Sequence, residues 1–563
     1  MFEDNGKFMT SLLMVLPLFL LFLSCAVSPL QPADLVLRGG KIATVDDSFS
    51  FAEAVAVRGD TLCAVGSNEE IKPYIGPQTT IIELGGKLVI PGLIDAHVHL
   101  RGYGISLLSL DFRGTTSFGQ IIDMVAEKAK TLEPGEWILG RSWDQNDWDI
   151  KKLPSHKALS NAVPDNPVYI TRVDGHAAIV NKKGMDMAGI TARTKDPDGG
   201  EIIRTTNGRP TGVFIDRAMG LVSKMIPDNP PERTREAIVL AGERCLEAGL
   251  TGVHDAGTST ATIDHYKYLI DNDKLGIRVY AMLHPPAHEG AVDYLKKNRL
   301  IGYGGNFLTV RSIKLFIDGA LGSRGALMFE PYSDRPGYSG LTMNSGERAL
   351  ELSLDALAAG FQMCTHAIGD MGNSIILDAY EQALRKQPSH DHRFRVEHAQ
   401  IVSLNDIPRF SASGVLPSMQ PTHATSDMYW AEDRVGPERI KGAYAWRKFL
   451  DSGTIIPCGS DCPVEEINPM LGLYAAITRQ DNKGWPEGGW YPEENMTREE
   501  ALRGFTIWAA YSAFQENILG SIEPGKLADM VVLSKDILTV PAEEILTTVP
   551  EYTIVGGKIR YVK

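Results

Sequence analysis

The stretch LIDAHVH, residues 93–99, is a short apolar run that ends in two histidines two positions apart. In an extended strand His97 and His99 point the same way, about 6.5–7 Å apart, and Ile94, Ala96 and Val98 face the opposite side. Further runs share this build: TGVHDAG (251–257), IRVYAML (277–283), RSIKLFID (311–318), FQMCTH (361–366), RFRVEH (393–398), VLPSMQ (415–420) and TIIPCGSD (454–461). Each has strand length and a mostly apolar body. Most are separated by amphipathic helix patterns. In GERALELSLDALAAG (346–360), Leu350, Leu354 and Leu357 share one face and Gly360 is the stop signal. Thr497 and Glu500 have the spacing of a capping box at the start of another helix. Strands alternating with helices predict an α/β chain with a parallel sheet, and eight such units predict a closed (β/α)8 TIM barrel over residues 91–517.

One connection breaks the rhythm. Between the first and second strands lie about 150 residues, far beyond an ordinary strand-to-helix loop. They include WILGRSWDQNDW, NPVYITRVDGHAAIVN and RTTNGRPTGVFID. The expectation is an inserted cap, about 103–245, over the barrel mouth. Outside the barrel, ADLVLRGGKIATVD, AEAVAVRGDTLCAVG and TTIIELGGKLVIPG alternate with period two, and the chain ends in the same style with LADMVVLS and YTIVGGKIRYVK. Each piece is too small to fold alone. Residues 34–90 and 518–563 are therefore expected to pair into one small β-sandwich.

A lone pair of histidines is a weak signal, and His390-Asp391-His392 shows it: that pair sits in a polar loop and is assigned to the surface. The company of His97 and His99 is what matters. His366 ends one apolar strand, His398 the next, and Asp461 the eighth, all at the strand edge where such barrels gather their active sites. Four imidazoles and a carboxylate converging there suit zinc or a similar divalent ion. Lys314 lies in a buried strand, which is unusual for lysine. It either pairs with an acid such as Asp318 or is carbamylated to bridge two metals.

The formal net charge of −14 comes without any basic stripe, which argues against a nucleic-acid partner. The six cysteines form no dense framework, so disulfides are not needed to explain the fold. Neither GxSxG nor a Walker loop nor HExxH occurs, and Gly102-Tyr103-Gly104 lacks the context of a dinucleotide site. At the start, Met9–Cys25 is almost wholly apolar but short for a membrane span of about 20 residues. It reads as an export signal within residues 1–25, placing the protein in the periplasm or cell envelope. Leu23-Ser24-Cys25 is similar to a lipobox, so Cys25 is either lipidated, giving membrane attachment, or part of an ordinary cleaved signal.

The set LVIPGLIDAHVHL, SIKLFIDGALGSR, THAIGD, RVEHAQ, QPTHATSD, CGSDCPV and SIEPGKLADMVVL resembles the amidohydrolase superfamily, and most closely its family 3 branch, which includes N-substituted formamide deformylases. The resemblance runs from about residue 34 to the C-terminus. It implies metal ligation by His97, His99, His366, His398 and Asp461, with Lys314 at the position of a carbamylated lysine in binuclear members. It also implies that Asp461 shuttles the proton. His423 then either hydrogen-bonds the developing oxyanion or is a loop histidine. Trp143, Asp144 and His176 resemble the family's cap segments, with substrate binding and cap-core packing as the two readings. Arg324 either grips a substrate carboxylate or pairs with a loop acid. His254 and Asp255 form either an outer layer of the site or a buried structural pair.

The function expected is metal-dependent hydrolysis of a non-peptide carbon–nitrogen bond in a small amide, formamide or cyclic imide. The alternatives are an ester or lactone hydrolase, a decarboxylase, or a non-catalytic exported binding protein. The expected partners are a small-molecule substrate and, in a homo-oligomer, further copies of the chain.

Overall fold

The computed structural model describes residues 31–285 and 291–563. The export segment and Cys25 lie outside the described residues. Among the described residues no helix is long and apolar enough to cross a membrane.

The barrel is built from parallel strands paired in chain order: Leu93–Val98, Leu250–Thr258, Arg278–Leu283, Leu308–Phe316, Gln362–Ala367, Arg395–His398 and Leu416–Ser418. They are buried along almost their whole length, as strands wrapped by helices must be. The eighth expected strand, 454–461, does not form a regular ladder. Parallel bridges join Met419 to Cys458 and Val98 to Cys462, and Ala96 N–H bonds Cys458 O at 2.9 Å while Asp461 N–H bonds His97 O at 2.7 Å. Pro457 has no N–H to offer and Asp461 adopts φ +58°, so the segment closes the barrel as a seam.

The helix at Gly346–Ala359 starts on Ser345 and ends on Gly360 at φ +71°. Its most buried stripe is Ala349, Leu352, Ala356 and Ala359, rotated from the expected leucine face, because the small alanines allow the closest approach to the sheet. The capping box of Thr497 and Glu500 forms in both directions.

Strands from the two chain ends interleave in a pair of sheets. The join is Leu88–Pro91, antiparallel to Met530–Leu533. Between the sheets lie Val55, Val57, Ile82, Val89, Val532 and Ile554. The inserted unit is a six-stranded sheet running from Gly200–Arg204 through Pro210–Asp216, Ala177–Val180, Val168–Arg172 and Ile138–Trp143 to Leu110–Asp111, with an apolar cluster on each face. The helix Pro231–Glu247, inside the expected insert boundary, instead belongs to the barrel's outer layer. It packs on the helix Leu100–Leu107, and Gly104 meets it so closely that a Cβ there would sit 2.0 Å from Ala237 O.

This contact carries a prediction. Gly104→Ala must push the two helices apart, costing about 1–3 kcal/mol. A lowered melting temperature by scanning calorimetry is the expected result; an unchanged one would show that the helices give way freely.

Candidate metal centre

Asp95 begins the site. Its buried carboxylate accepts the backbone N–H groups of His97 at 3.0 Å and of Ser460 at 3.0 and 3.1 Å, tying the first strand to the seam. Burial pushes its pKa up to about 7. His97 follows, fully buried, with Nδ1 hydrogen-bonded to Glu397. Glu397 is held in turn by Arg395, whose Nη2 donates at 2.9 Å. Arg395 also donates to Ala96 O at 2.6 Å and Ser418 Oγ at 2.8 Å, and lies 2.9 Å from His254 Nδ1. Burial would raise the Glu397 pKa, but the charges of Arg395 and His97 hold it well below the usual carboxylate range. The relay fixes the His97 tautomer, with the proton at Nδ1 and the lone pair of Nε2 turned toward the barrel mouth.

Asp461 comes to that mouth from the seam. Its Oδ1 lies 3.1 Å from His99 Nε2 and 3.6 Å from His97 Nε2. The other oxygen is 3.8 Å from His423 Nε2. Burial opposes its charge, yet the His99 contact and the rings of His97 and His398 keep its pKa well below the ordinary value. None of these contacts is aligned as a hydrogen bond at Oδ1, so Asp461 Oδ1 and His423 Nε2 are buried without partners. The ligand atoms of His97, His99 and Asp461 lie within 4.8 Å of one another, and so do those of His398, His423 and Asp461. Orphaned nitrogen and oxygen donors in two groups around one carboxylate fit a divalent ion.

His398 sits at φ +75°, a left-handed conformation that turns its ring over the mouth, 4.9 Å from His97 and 4.6 Å from His366 between centroids. A non-glycine residue adopts this conformation only at a cost in free energy. Its Nδ1 is 2.8 Å from Gln420 Oε1. His366 stands outside both donor groups, its Nε2 3.4 Å from Gly319 O. Lys314 does not pair with Asp318, whose carboxylate accepts the N–H groups of Leu327, Ile368 and Gly369. Its amine lies 3.0 Å from His97 Nε2, and burial lowers its pKa to about 8. His97 is pushed down to about 4 by burial and by the Lys314 charge.

A cavity of about 270 Å³ opens above these groups, lined by Asp144, His176, His366, His398, His423 and Asp461 among others. His423 is therefore part of the cluster rather than an isolated loop residue; it stacks on His398 with centroids 5.8 Å apart. Asp144 reaches the cavity with its charge already matched by Arg172 at 2.5 Å. Burial would lower the His176 pKa, but the Asp216 hydrogen bond outweighs it and raises it to about 9.

Two expected substrate contacts do not reach the cavity. Trp143 is fully buried in the core of the insert, its indole N–H bonding Ile170 O at 3.0 Å, because the strand turns that side toward Trp148. Arg324 is taken by Asp334, at 3.1 and 2.7 Å. His392 is not a surface residue either: it is 7% exposed, with Nε2 bonding Ser413 O at 2.9 Å, whereas His390 is exposed. Asp255 accepts the N–H of Leu100 at 2.9 Å and the hydroxyl of Tyr266 at 2.7 Å, a structural role below the site. Glu397 and Asp95 were missed by sequence reasoning. An Arg-x-Glu pair on one face of a buried strand was the available signal for Glu397.

The sequence profile described as the amidohydrolase family matches residues 80–561. The chain is 35% identical over 541 residues to Protein LONG AFTER FAR-RED 3 of Arabidopsis thaliana, covering 94% of this chain and 92% of that one. It is 28% identical over 546 residues to the N-substituted formamide deformylase of Arthrobacter pascens, covering 94% and 99%. The crystal structure of an uncharacterized metal-dependent hydrolase from Pyrococcus horikoshii superposes with a TM-score of 0.73 at 28% identity, over 90% of this chain and 99% of that one. Profile, relatives and barrel agree: the chain belongs to the amidohydrolase family of metal-dependent hydrolases.

Proposed function

We propose that the protein hydrolyses a carbon–nitrogen bond outside peptides, in a small amide, formamide or cyclic imide. The observation that carries this reading is the Asp461 carboxylate, shared by the pairs His97/His99 and His398/His423 with one oxygen unpartnered. The deformylase from Arthrobacter pascens, similar along the chain, supports the choice of bond. The cavity of about 270 Å³ supports a small substrate.

His97, His99 and Asp461 would hold a divalent ion, zinc by its fit to imidazole and carboxylate donors. Such an ion, when bound, supplies Lewis acidity that lowers the pKa of water and polarises a carbonyl. Asp461 takes the proton of the attacking water and returns it to the departing nitrogen, which leaves badly as an anion. Glu397 keeps His97 in the tautomer that presents Nε2.

Lys314 favours the modified form. Its amine, 3.0 Å from His97 Nε2, competes for the one lone pair that an ion needs. Carbamylation would replace this competing donor with a carboxylate that accepts instead, and that carboxylate would join His366 and His398 as residues able to hold a second divalent ion.

Three measurements check this reading. Metal content by plasma mass spectrometry, on protein prepared with bicarbonate, should approach two ions per chain; close to one would leave the hydrolase and remove the carbamate. Asp461→Asn should lower kcat on an amide panel by roughly 10²–10⁴-fold, and retained activity would remove Asp461 from proton transfer. Glu397→Gln should weaken metal binding by about 10–100-fold in chelator competition; unaltered affinity would make the relay purely structural.

A further inference from the structure

Two arginines of the inserted unit reach the barrel mouth with no carboxylate to neutralise them. Arg113 lines the metal-site cavity together with Ser142 and Asp461. Arg113 and Ser142 also line a second cavity of about 300 Å³, where Arg141 joins them. The two cavities adjoin across these two residues. Arg172, the other arginine of the metal-site cavity, is spent on Asp144 at 2.5 Å and Asp174 at 2.6 Å. Arg113 and Arg141 make no ion pair among the described residues. Arg113 donates from Nη2 to Pro463 O, and its Nε and Nη1 have no partner there. Arg141 reaches Ser142 Oγ at 3.3 Å and Val173 O at 3.5 Å, long contacts that leave Nη1 unpartnered. Burial, with the Arg113 charge beside it, lowers the Arg141 pKa to about 10, so this guanidinium keeps its proton at neutral pH. Two cations at one cavity repel each other, and an anion between them removes that cost.

The backbone is bent to bring this pair out. Ile138 and Trp143 enter the same apolar cluster although they stand five positions apart, which strict alternation along a strand forbids. The register of Ile138–Trp143 against Val168–Arg172 slips between Gly140 and Trp143, and Ser142 adopts φ +71°. This bulge absorbs one residue and re-aims its neighbours, so Trp143 fills the core while Arg141 and Ser142 turn to the cavities. Arg141 pairs with Asp111 on the adjacent strand, and Phe112 N–H bonds Arg141 O at 2.9 Å, which sets Arg113 beside it. The helix Pro469–Thr478 starts at Asn468, which lines the second cavity, so its N-terminal dipole adds to the positive field. Two acids, Asp111 and Glu466, stand at the rim; both are exposed, and neither forms an ion pair with either guanidinium. They leave room for a monoanion and oppose a dianion such as phosphate.

We infer that Arg113 and Arg141 bind a carboxylate of the substrate, so that the amide hydrolysed carries a carboxylate away from the scissile bond, as in an N-acyl amino acid or a dicarboxylic monoamide. This rests on the C–N hydrolysis proposed above and narrows its substrate class. The planar fork of a guanidinium matches a carboxylate through two parallel N–H donors. Held there, the carboxylate anchors one end of the substrate and leaves the amide in the metal-site cavity, beside Asp461. The carboxylate-gripping role that sequence offered to Arg324 passes to this pair, because Arg324 is taken by Asp334.

The experiment measures kcat and KM of the metal-loaded full chain on matched pairs of amides that differ only in a carboxylate. N-acyl alanines are set beside the N-isopropyl amides that carry a methyl group instead, and N-alkyl succinamates beside N-alkyl butyramides. The wild type should prefer the carboxylate member of at least one series by about 10-fold or more in kcat/KM. Arg141→Gln and Arg113→Gln should each shrink that preference by about 10-fold or more, mainly through KM. Arg141→Lys, which keeps the charge without the fork, should retain part of it. Arg113 is exposed, so Arg113→Gln tests the pair even if Arg141→Gln fails to fold. A wild type that turns over both members of every pair equally overturns the carboxylate site and leaves C–N hydrolysis standing. A preference that survives Arg113→Gln undiminished overturns the assignment to this pair. A wild type inert toward every amide, formamide and imide overturns the C–N reading first, and this substrate class with it.

Discussion

The barrel closes on a seam instead of a ladder, and that seam brings the reactive carboxylate to the site. Residues 457–462 meet the first strand through a few peptide contacts, and Asp95 accepts the N–H groups of His97 and Ser460 beside them. A regular strand would have repeated the alternation of its neighbours. The break at Pro457 and the left-handed turn at Asp461 release the last side chain toward the mouth, where it faces imidazoles from the first, fifth, sixth and seventh barrel units. The fold tolerates the irregularity because Asp95 and the backbone of His97 hold the seam from below.

Beneath the donors lies a second constraint. Arg395, Glu397 and His97 form a chain of charge and hydrogen bonds in the barrel interior, where an unpaired member would be costly. Arg395 Nε stands 2.7 Å from Glu397 Oε1 but out of hydrogen-bond line, so the pair holds mainly through Nη2 and the attraction of opposite charges. The arrangement spends buried polar groups to orient one ring.

Much of this was legible in the chain. The strands, the two histidines of the first, and His366, His398 and Asp461 at strand ends all follow from pattern and position, because burial on both faces leaves apolar runs that make an ending histidine conspicuous. Glu397 was hidden by its neighbour: next to His398 it reads as an ordinary strand acid, and only the fold shows that it reaches His97 across the barrel. Asp216 was hidden by distance, since its partner His176 sits in the turn just before a neighbouring strand of the insert. Trp143 and Arg324 misled for a related reason. Their types suit ligand contact, but which way a strand turns an indole, and which acid a loop arginine finds, depend on tertiary neighbours. The stripe on Gly346–Ala359 shows the same limit on a smaller scale, since alanine ranks below leucine in hydrophobicity yet packs closer.

The strand at Leu88–Pro91 finds its neighbour at Met530–Leu533, with the whole barrel and insert between them in sequence. For a chain made from its N-terminus onward, this leaves a row of amide and carbonyl groups exposed until synthesis is nearly finished. Pairing at such separation is slow, and an open sheet edge invites other chains. The first barrel strand begins immediately after Pro91, so its lower end gains a fixed support only when the final strands arrive. A protein truncated near its C-terminus would keep every metal-site donor and still lack the clasp that holds the first of them in register.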